Sequence, residues 1–160
     1  MPAGGSGKST LSKHIVSKLA KSNIIGMDFY YDPVLIRCDF IRVKNELIVP
    51  LKEGKRATSK VYDWPNEQFL PGGWLEPSGI HIFEGWYSME ENLAGLFDYK
   101  IWVDCPPDVG MERGLKRDNH IYEDRWVNTW VPEMKKYIQI QNPHLKADMI
   151  INYKDIPRNI

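Results

Sequence analysis

With 160 residues, 42% of them hydrophobic, the chain has apolar material for one compact domain and too little for two. Lys+Arg and Asp+Glu balance at 21 each, so no overall field draws it to nucleic acid or to an anionic membrane, and any anion must be held by a built site. Cys38 and Cys105 are too few for a disulfide framework or a zinc cluster, no apolar run approaches the roughly 20 residues of a membrane span, and no signal pattern opens the chain, so a cytoplasmic protein is expected.

Leu11, Ile15, Val16 and Leu19 recur at helical spacing with Lys13, Lys18 and Lys21 on other faces, which predicts a first helix from about Lys8 to Lys21. The apolar run Asn23 to Met27 reads as a buried strand that delivers Asp28 at its carboxyl edge. Phe40, Val43, Leu47, Ile48 and Leu51 predict a second helix, capped by Asp39 and closed near Gly54. From Lys55 to Gly79 no period survives, and Pro65, Pro71, Gly72, Gly73 and Pro77 punctuate what is expected to be a long functional loop holding Tyr62, Trp64, Phe69 and Trp74. Ile80 to Phe83 is a predicted strand running into Glu84 and Gly85, Ser88 to Leu96 a helix, and Tyr99 to Val103 a strand ending at Asp104. Pro107 suits the first turn of a helix carrying Met111 to Arg117, Asp124 to Gln141 a helix interrupted or kinked at Pro132, and Asp148 to Tyr153 a last strand. Strands alternating with helices imply an α/β fold with a parallel sheet, right-handed crossovers and a ligand site at the carboxyl edge, which carries Asp28, Glu84 and Asp104.

The stretch from Ala3 to Thr10 carries the chemistry. Gly7-Lys8-Ser9 fits the second half of a P-loop, while Pro2 stands where the pattern has its first glycine. Gly4, Gly5 and Gly7, with Ser6 between them, permit backbone turns that aim successive N–H groups at a phosphate, and a helix starting at Lys8 adds its N-terminal dipole. In this pattern Lys8 reaches the β- and γ-phosphates and the Ser9 hydroxyl ligates Mg²⁺, with Thr10 completing the run, so ATP and Mg²⁺ are the expected ligands. A P-loop normally follows a central strand, and only Met1-Pro-Ala3 precedes the glycines. The sheet is therefore expected to lack its middle strand, either because the N-terminus is truncated, the favoured account, or because another segment fills the gap.

With the P-loop, Asp28-Phe-Tyr-Tyr31, Tyr62-Asp63, Phe83-Glu84-Gly85, Trp102-Val-Asp104 and Arg113-Gly-Leu-Lys-Arg-Asp118 in this order and spacing, the chain resembles the uridine kinase and phosphoribulokinase family from Ala3 to about Ile151. The resemblance implies a three-layer α/β/α P-loop kinase spanning residues 1–160 as one domain, with a substrate loop at about 55–79 and a short lid at about 118–125. It also implies that Asp28 takes the proton of the acceptor hydroxyl and sits near Mg²⁺, and that Glu84 is the second acid of the metal shell. By the same resemblance Tyr31, Tyr62 and Asp63 line a nucleoside pocket, with Arg125 the cation nearest the lid. Arg113 and Arg117, four residues apart on one helix face, are expected to balance the charge of the transferring phosphoryl.

The chain departs from the family in its short lid, in the short segment between Tyr31 and Tyr62, and in ending soon after its last strand. The expected partner is a small molecule, uridine or cytidine first, with a homo-oligomer left open. Two other functions are carried alongside. A nucleoside monophosphate kinase would need extra arginines, where the loop from Arg56 to Gly79 offers only Arg56 and Lys60; a nucleotide-binding module would bind ATP without turnover. His81 is expected to be a satisfied core histidine, Trp126, Trp130 and Tyr137 core residues, and Tyr62 and Trp64 either packing groups or substrate contacts.

Overall fold

The computed structural model describes residues 5–156. Backbone contacts gather the chain into two compact units, one joining Met1–His14 with Phe97–Ile160, the other Ile15–Leu96. The boundary falls inside α1 (Lys8–Val16), which stops well short of Lys21. The amides of Lys18 and Leu19 turn back to the carbonyls of Ile15 and Val16 at 3.0 and 3.1 Å, the Ser22 hydroxyl donates to the Leu19 carbonyl at 3.0 Å, and Lys21 adopts φ 50°. A tightened last turn and a serine cap thus end the helix that periodicity alone extends.

In the Ile15–Leu96 unit, β1 (Ser22–Gly26) is followed by a 3₁₀ turn, Met27–Tyr30, and by the hairpin of β2 (Tyr31–Asp32) and β3 (Arg37–Cys38). The Asp32 carboxylate closes that hairpin by accepting from the amides of Val34 and Leu35 at 2.8 and 3.0 Å. The second helix comes as expected, built from α2 (Phe40–Arg42), a π-helical stretch Val43–Ile48 and α3 (Val49–Lys52), with Asp39 accepting from the Arg42 amide at 3.0 Å. The predicted loop from Lys55 to Gly79 contains an antiparallel hairpin instead, β4 (Lys60–Asp63) on β5 (Gln68–Pro71). β6 (Ile80–Glu84) pairs parallel with β1, and the expected helix from Ser88 shrinks to α4 (Glu91–Ala94), whose start is set by Glu90 accepting from the Asn92 amide at 2.8 Å.

Met27, Val43, Leu47 and Leu93 form the dry centre of this unit, and Arg42, only 8% exposed, runs through it. Its guanidinium donates to the carbonyls of Lys60 and, at 3.3 Å, Tyr30, meets Asp39 at 3.3 Å, and lies 5.3 Å from the Phe69 ring centroid. One buried cation therefore fastens the 3₁₀ turn, the second helix and the β4–β5 hairpin together. Arg42→Met keeps most of the stem but leaves those acceptors unmatched, so a loss of about 3 kcal/mol is expected in denaturant unfolding, and a change within about 0.5 kcal/mol would show the guanidinium to be dispensable.

In the other unit, β7 (Ile101–Asp104) feeds α5 (Pro107–Arg117), with Pro107 in the first turn as expected. α6 (Glu123–Arg125), a π-helical stretch Trp126–Trp130 and α7 (Val131–Gln141) then run in succession, so the interruption expected at Pro132 is a wider helical turn immediately before it. β8 (Met149–Asn152) pairs parallel with β7. Gly114 is what lets α5 receive the Trp126 indole: a Cβ there would sit 2.5 Å from the ring.

The described strands pair two by two, so the expected parallel geometry is present in β1–β6 and β7–β8 without a described third strand in either pair. No helix among the described residues is long and apolar enough to cross a membrane.

Candidate active site

Gly5 and Gly7 take φ +86° and +98°, a region closed to most side chains. At Gly5 a Cβ would stand 2.5 Å from the Gly110 carbonyl oxygen, 2.8 Å from the Arg113 Cβ and 2.9 Å from the Gly114 amide nitrogen, so the glycine turn lies directly on α5. Ser6, between them, is 0% exposed, and its hydroxyl has no hydrogen-bond partner among the described residues. Lys8, Ser9 and Thr10 then form the first turn of α1, locked to the loop by the Leu11 amide donating to the Gly7 carbonyl at 2.9 Å. A buried orphan hydroxyl, two left-handed glycines and a helix N-terminus suit a bound phosphate chain. Gly4 lies outside the described residues.

Burial pushes the Cys105 thiol up, while the charges of Arg113 and Lys8 pull against that shift, so both cations lie within electrostatic reach of one buried atom. The Arg113 side chain starts at the glycine turn and carries its guanidinium over the Tyr153 ring, 4.9 Å from the centroid. Arg117 is oriented differently. Its guanidinium forks onto Asp118 at 2.6 and 2.9 Å, and the Trp126 indole donates to the same carboxylate at 3.3 Å. Burial alone would raise the Asp118 carboxyl, but the Arg117 bond and charge with the indole bring it below its usual range. Arg125 ends α6, inside the segment expected as a lid, where Asn119 and His120 make left-handed turns and His120 Nδ1 lies 3.1 Å from Glu123.

In the Ile15–Leu96 unit the two expected acids come to one edge. The register Gly26↔Glu84 sets Glu84 at the carboxyl end of β6 beside the end of β1, and Asp28 follows in the 3₁₀ turn that continues β1. Gly85, at φ +134°, makes this possible: a Cβ there would stand 2.9 Å from the Met27 Cβ and 3.2 Å from its amide nitrogen. Burial pushes the Cys38 thiol up to about 12, with the Asp28 and Asp39 carboxylates adding to the shift. No cluster of three or more His, Cys, Asp or Glu among the described residues is placed to hold a metal. A pair of carboxylates is nonetheless the provision Mg²⁺ usually receives from protein, because phosphate oxygens and water complete its shell.

Tyr31 and Tyr62 meet at 5.5 Å between centroids, Trp64 stacks 4.5 Å from Tyr31 at 36° and meets Tyr62 edge-on at 5.2 Å, and Phe69 closes the row 5.5 Å from Tyr62. Tyr62, 5% exposed, belongs to the core, and the Trp64 indole donates to the Asp28 carbonyl at 3.1 Å. Asp63, last in β4, accepts from the Asn66 side chain at 2.7 Å.

Two features escaped the sequence. Nothing in the periodicity singled out Arg42, and the one hint of its role was its place three residues after the Asp39 cap. His81 was expected to be a satisfied core histidine, yet both its ring nitrogens are buried without a hydrogen-bond partner among the described residues.

A model of the Phosphoribulokinase / Uridine kinase family matches residues 38–156. The chain is 31% identical over 137 residues to a uridine kinase of Saccharomyces cerevisiae, covering 72% of this chain and 27% of that protein. It is 30% identical over 135 residues to a uridine kinase of Macrococcus caseolyticus, covering 71% and 64%. The chain thus spans less than two thirds of the length of these relatives. A solved structure described as a possible uridine kinase from Bacillus stearothermophilus superposes with a TM-score of 0.66 at 17% identity, over 91% of this chain and 82% of that one, and the fold is accordingly that of the P-loop kinases. With three quarters of its length under the family model, from Cys38 through the second helix, the aromatic hairpin, Glu84 and α5, the chain belongs to the phosphoribulokinase / uridine kinase family.

Proposed function

We propose that this chain is an ATP-dependent phosphotransferase that passes the γ-phosphoryl to a hydroxyl of a nucleoside-like small molecule, uridine or cytidine first. The observation that carries this is the fully buried, unpartnered Ser6 hydroxyl inside the glycine turn that opens α1. Such an atom is costly to bury unless a ligand satisfies it. Gly5, Ser6, Gly7, Lys8, Ser9 and Thr10 hold the triphosphate, and Gly4 joins them from outside the described residues. Ser9, Asp28 and Glu84 would hold Mg²⁺, which when bound neutralises phosphate charge.

The acceptor oxygen forms a bond to the γ-phosphorus as the bond from that phosphorus to the β,γ-bridging oxygen breaks; ADP leaves, and the acceptor proton goes to the Asp28 carboxylate. Lys8 and Arg113 balance the charge that spreads over the transferring phosphoryl, a role Arg117 can share only by leaving Asp118. Tyr31, Tyr62 and Asp63 form the acceptor side, with Arg125 at the lid.

A monophosphate acceptor is disfavoured because both cations between Arg56 and Gly79 are engaged. Arg56 pairs with Glu76 at 2.8 Å and covers Trp74, and Lys60 sits 4.1 Å over Phe69. A product assay with ATP and Mg²⁺ over nucleosides, nucleoside monophosphates and pantothenate-like alcohols is expected to yield a phosphorylated nucleoside. Tight ATP binding with no product from any acceptor would replace the enzyme by a nucleotide-binding module.

A further inference from the structure

Asp28 sits in a single 3₁₀ turn, a poor platform for a group that must hold its position relative to a hydroxyl to within about 0.5 Å. The turn is short of internal restraint, yet it is fastened from outside at two points, both by the β4–β5 hairpin and its partner helix. Arg42 joins the carbonyl of Tyr30, at the end of the turn, to that of Lys60, at the start of β4. Trp64, just past the end of β4, donates its indole N–H to the carbonyl of Asp28 itself at 3.1 Å, while its ring stacks on Tyr31 and abuts Tyr62. The same side chain therefore touches both expected acceptor-side tyrosines and the backbone of the expected base.

We propose that Trp64 is a positioning residue that fixes Asp28 against the acceptor: its indole N–H sets the Asp28 peptide plane, and its ring ties that plane to Tyr31 on the acceptor side, backed by the buried Tyr62. This rests on the phosphotransferase reading above. It adds that acceptor alignment and base alignment are one event, transmitted through a single hydrogen bond. A carbonyl held by a fixed donor limits rotation of the Asp28 backbone; without it only the Tyr30 end of the turn stays fastened and the carboxylate loses its aim, although the pocket walls remain.

Trp64→Phe removes the N–H and keeps a stacking ring. With ATP, Mg²⁺ and the nucleoside that the wild-type chain phosphorylates best, kcat is expected to fall roughly tenfold or more while the nucleoside KM stays within about twofold, since alignment is lost and contact area is not. In a double-mutant cycle, Trp64→Phe added to Asp28→Asn should cost little further, because its effect passes through Asp28. Trp64→Tyr is measured beside it in case phenylalanine lowers the melting temperature, so that a folded variant without the indole N–H is available.

Unchanged kcat in a folded variant, a rise in KM that accounts for the whole loss, or additive costs in the cycle would each overturn the role and leave Trp64 as pocket wall or packing. A wild-type chain that phosphorylates no hydroxyl acceptor would instead overturn the phosphotransferase reading, a result distinct from any of these.

Discussion

Lys8→Ala is expected to remove nearly all phosphoryl transfer and to weaken ATP binding. The lysine is the first residue of α1, directly after Gly7, and it lies close enough to Cys105 for its charge to act on that buried thiol. Removing such a point charge from a developing phosphoryl transition state costs roughly 10² to 10³ in kcat, and the loss of β,γ-phosphate contact raises the ATP dissociation constant as well. The alanine sits in a helix's first turn, where it is well tolerated, so the melting temperature without nucleotide should barely move. Calorimetric ATP titration beside a coupled turnover assay makes the test. Near-native affinity and turnover would remove the P-loop assignment from this chain.

Asp28→Asn should lower kcat by roughly 10² to 10⁴ while ATP still binds through the loop amides and Lys8. The substitution keeps size and leaves the backbone carbonyl that Trp64 uses, so the 3₁₀ turn is preserved and only the charge is lost. If Asp28 acts chiefly on the metal, the Mg²⁺ concentration for half-maximal rate rises too, and excess Mg²⁺ recovers part of the rate. Initial rates across a Mg²⁺ series at saturating acceptor separate these roles. Wild-type turnover in that series would leave Asp28 as neither base nor metal ligand.

What could be read from the sequence was what local chemistry decides. The Asp39 cap, Pro107 in a first turn, the acids at the carboxyl edge of β1 and β6 and the glycine turn before α1 each follow from one residue's conformational or hydrogen-bonding preference. The β4–β5 hairpin was hidden because its turn, Trp64-Pro-Asn-Glu67, lacks the glycine that marks most hairpins and puts Glu67 at φ 50° instead. The end of α1 was hidden because Leu19 continues the apolar rhythm, and only the Ser22 hydroxyl, three residues on, shows where the carbonyls are taken up. The contacts of Arg42 and of Trp126 on Asp118 depend on which groups the fold brings near, and neither is written in helical spacing. Spacing put Arg113 and Arg117 on one face of α5, but contact gave them different neighbours.

The two fastenings between the β4–β5 hairpin and the Met27–Tyr30 turn bear on a problem every ATP-using transferase faces, that water is always present and is also a hydroxyl. A general base anchored to the rigid sheet alone would stay aimed whether or not an acceptor had arrived, ready to deprotonate whichever hydroxyl came first. Here the carbonyls of Asp28 and Tyr30 are gripped by Trp64 and Arg42, which also hold the hairpin, so on the proposal above any displacement of the hairpin would be felt at Asp28. Under the proposed reaction, fidelity against futile hydrolysis would then rest on mechanical linkage as well as on excluding solvent, with the acceptor itself bringing the base into line.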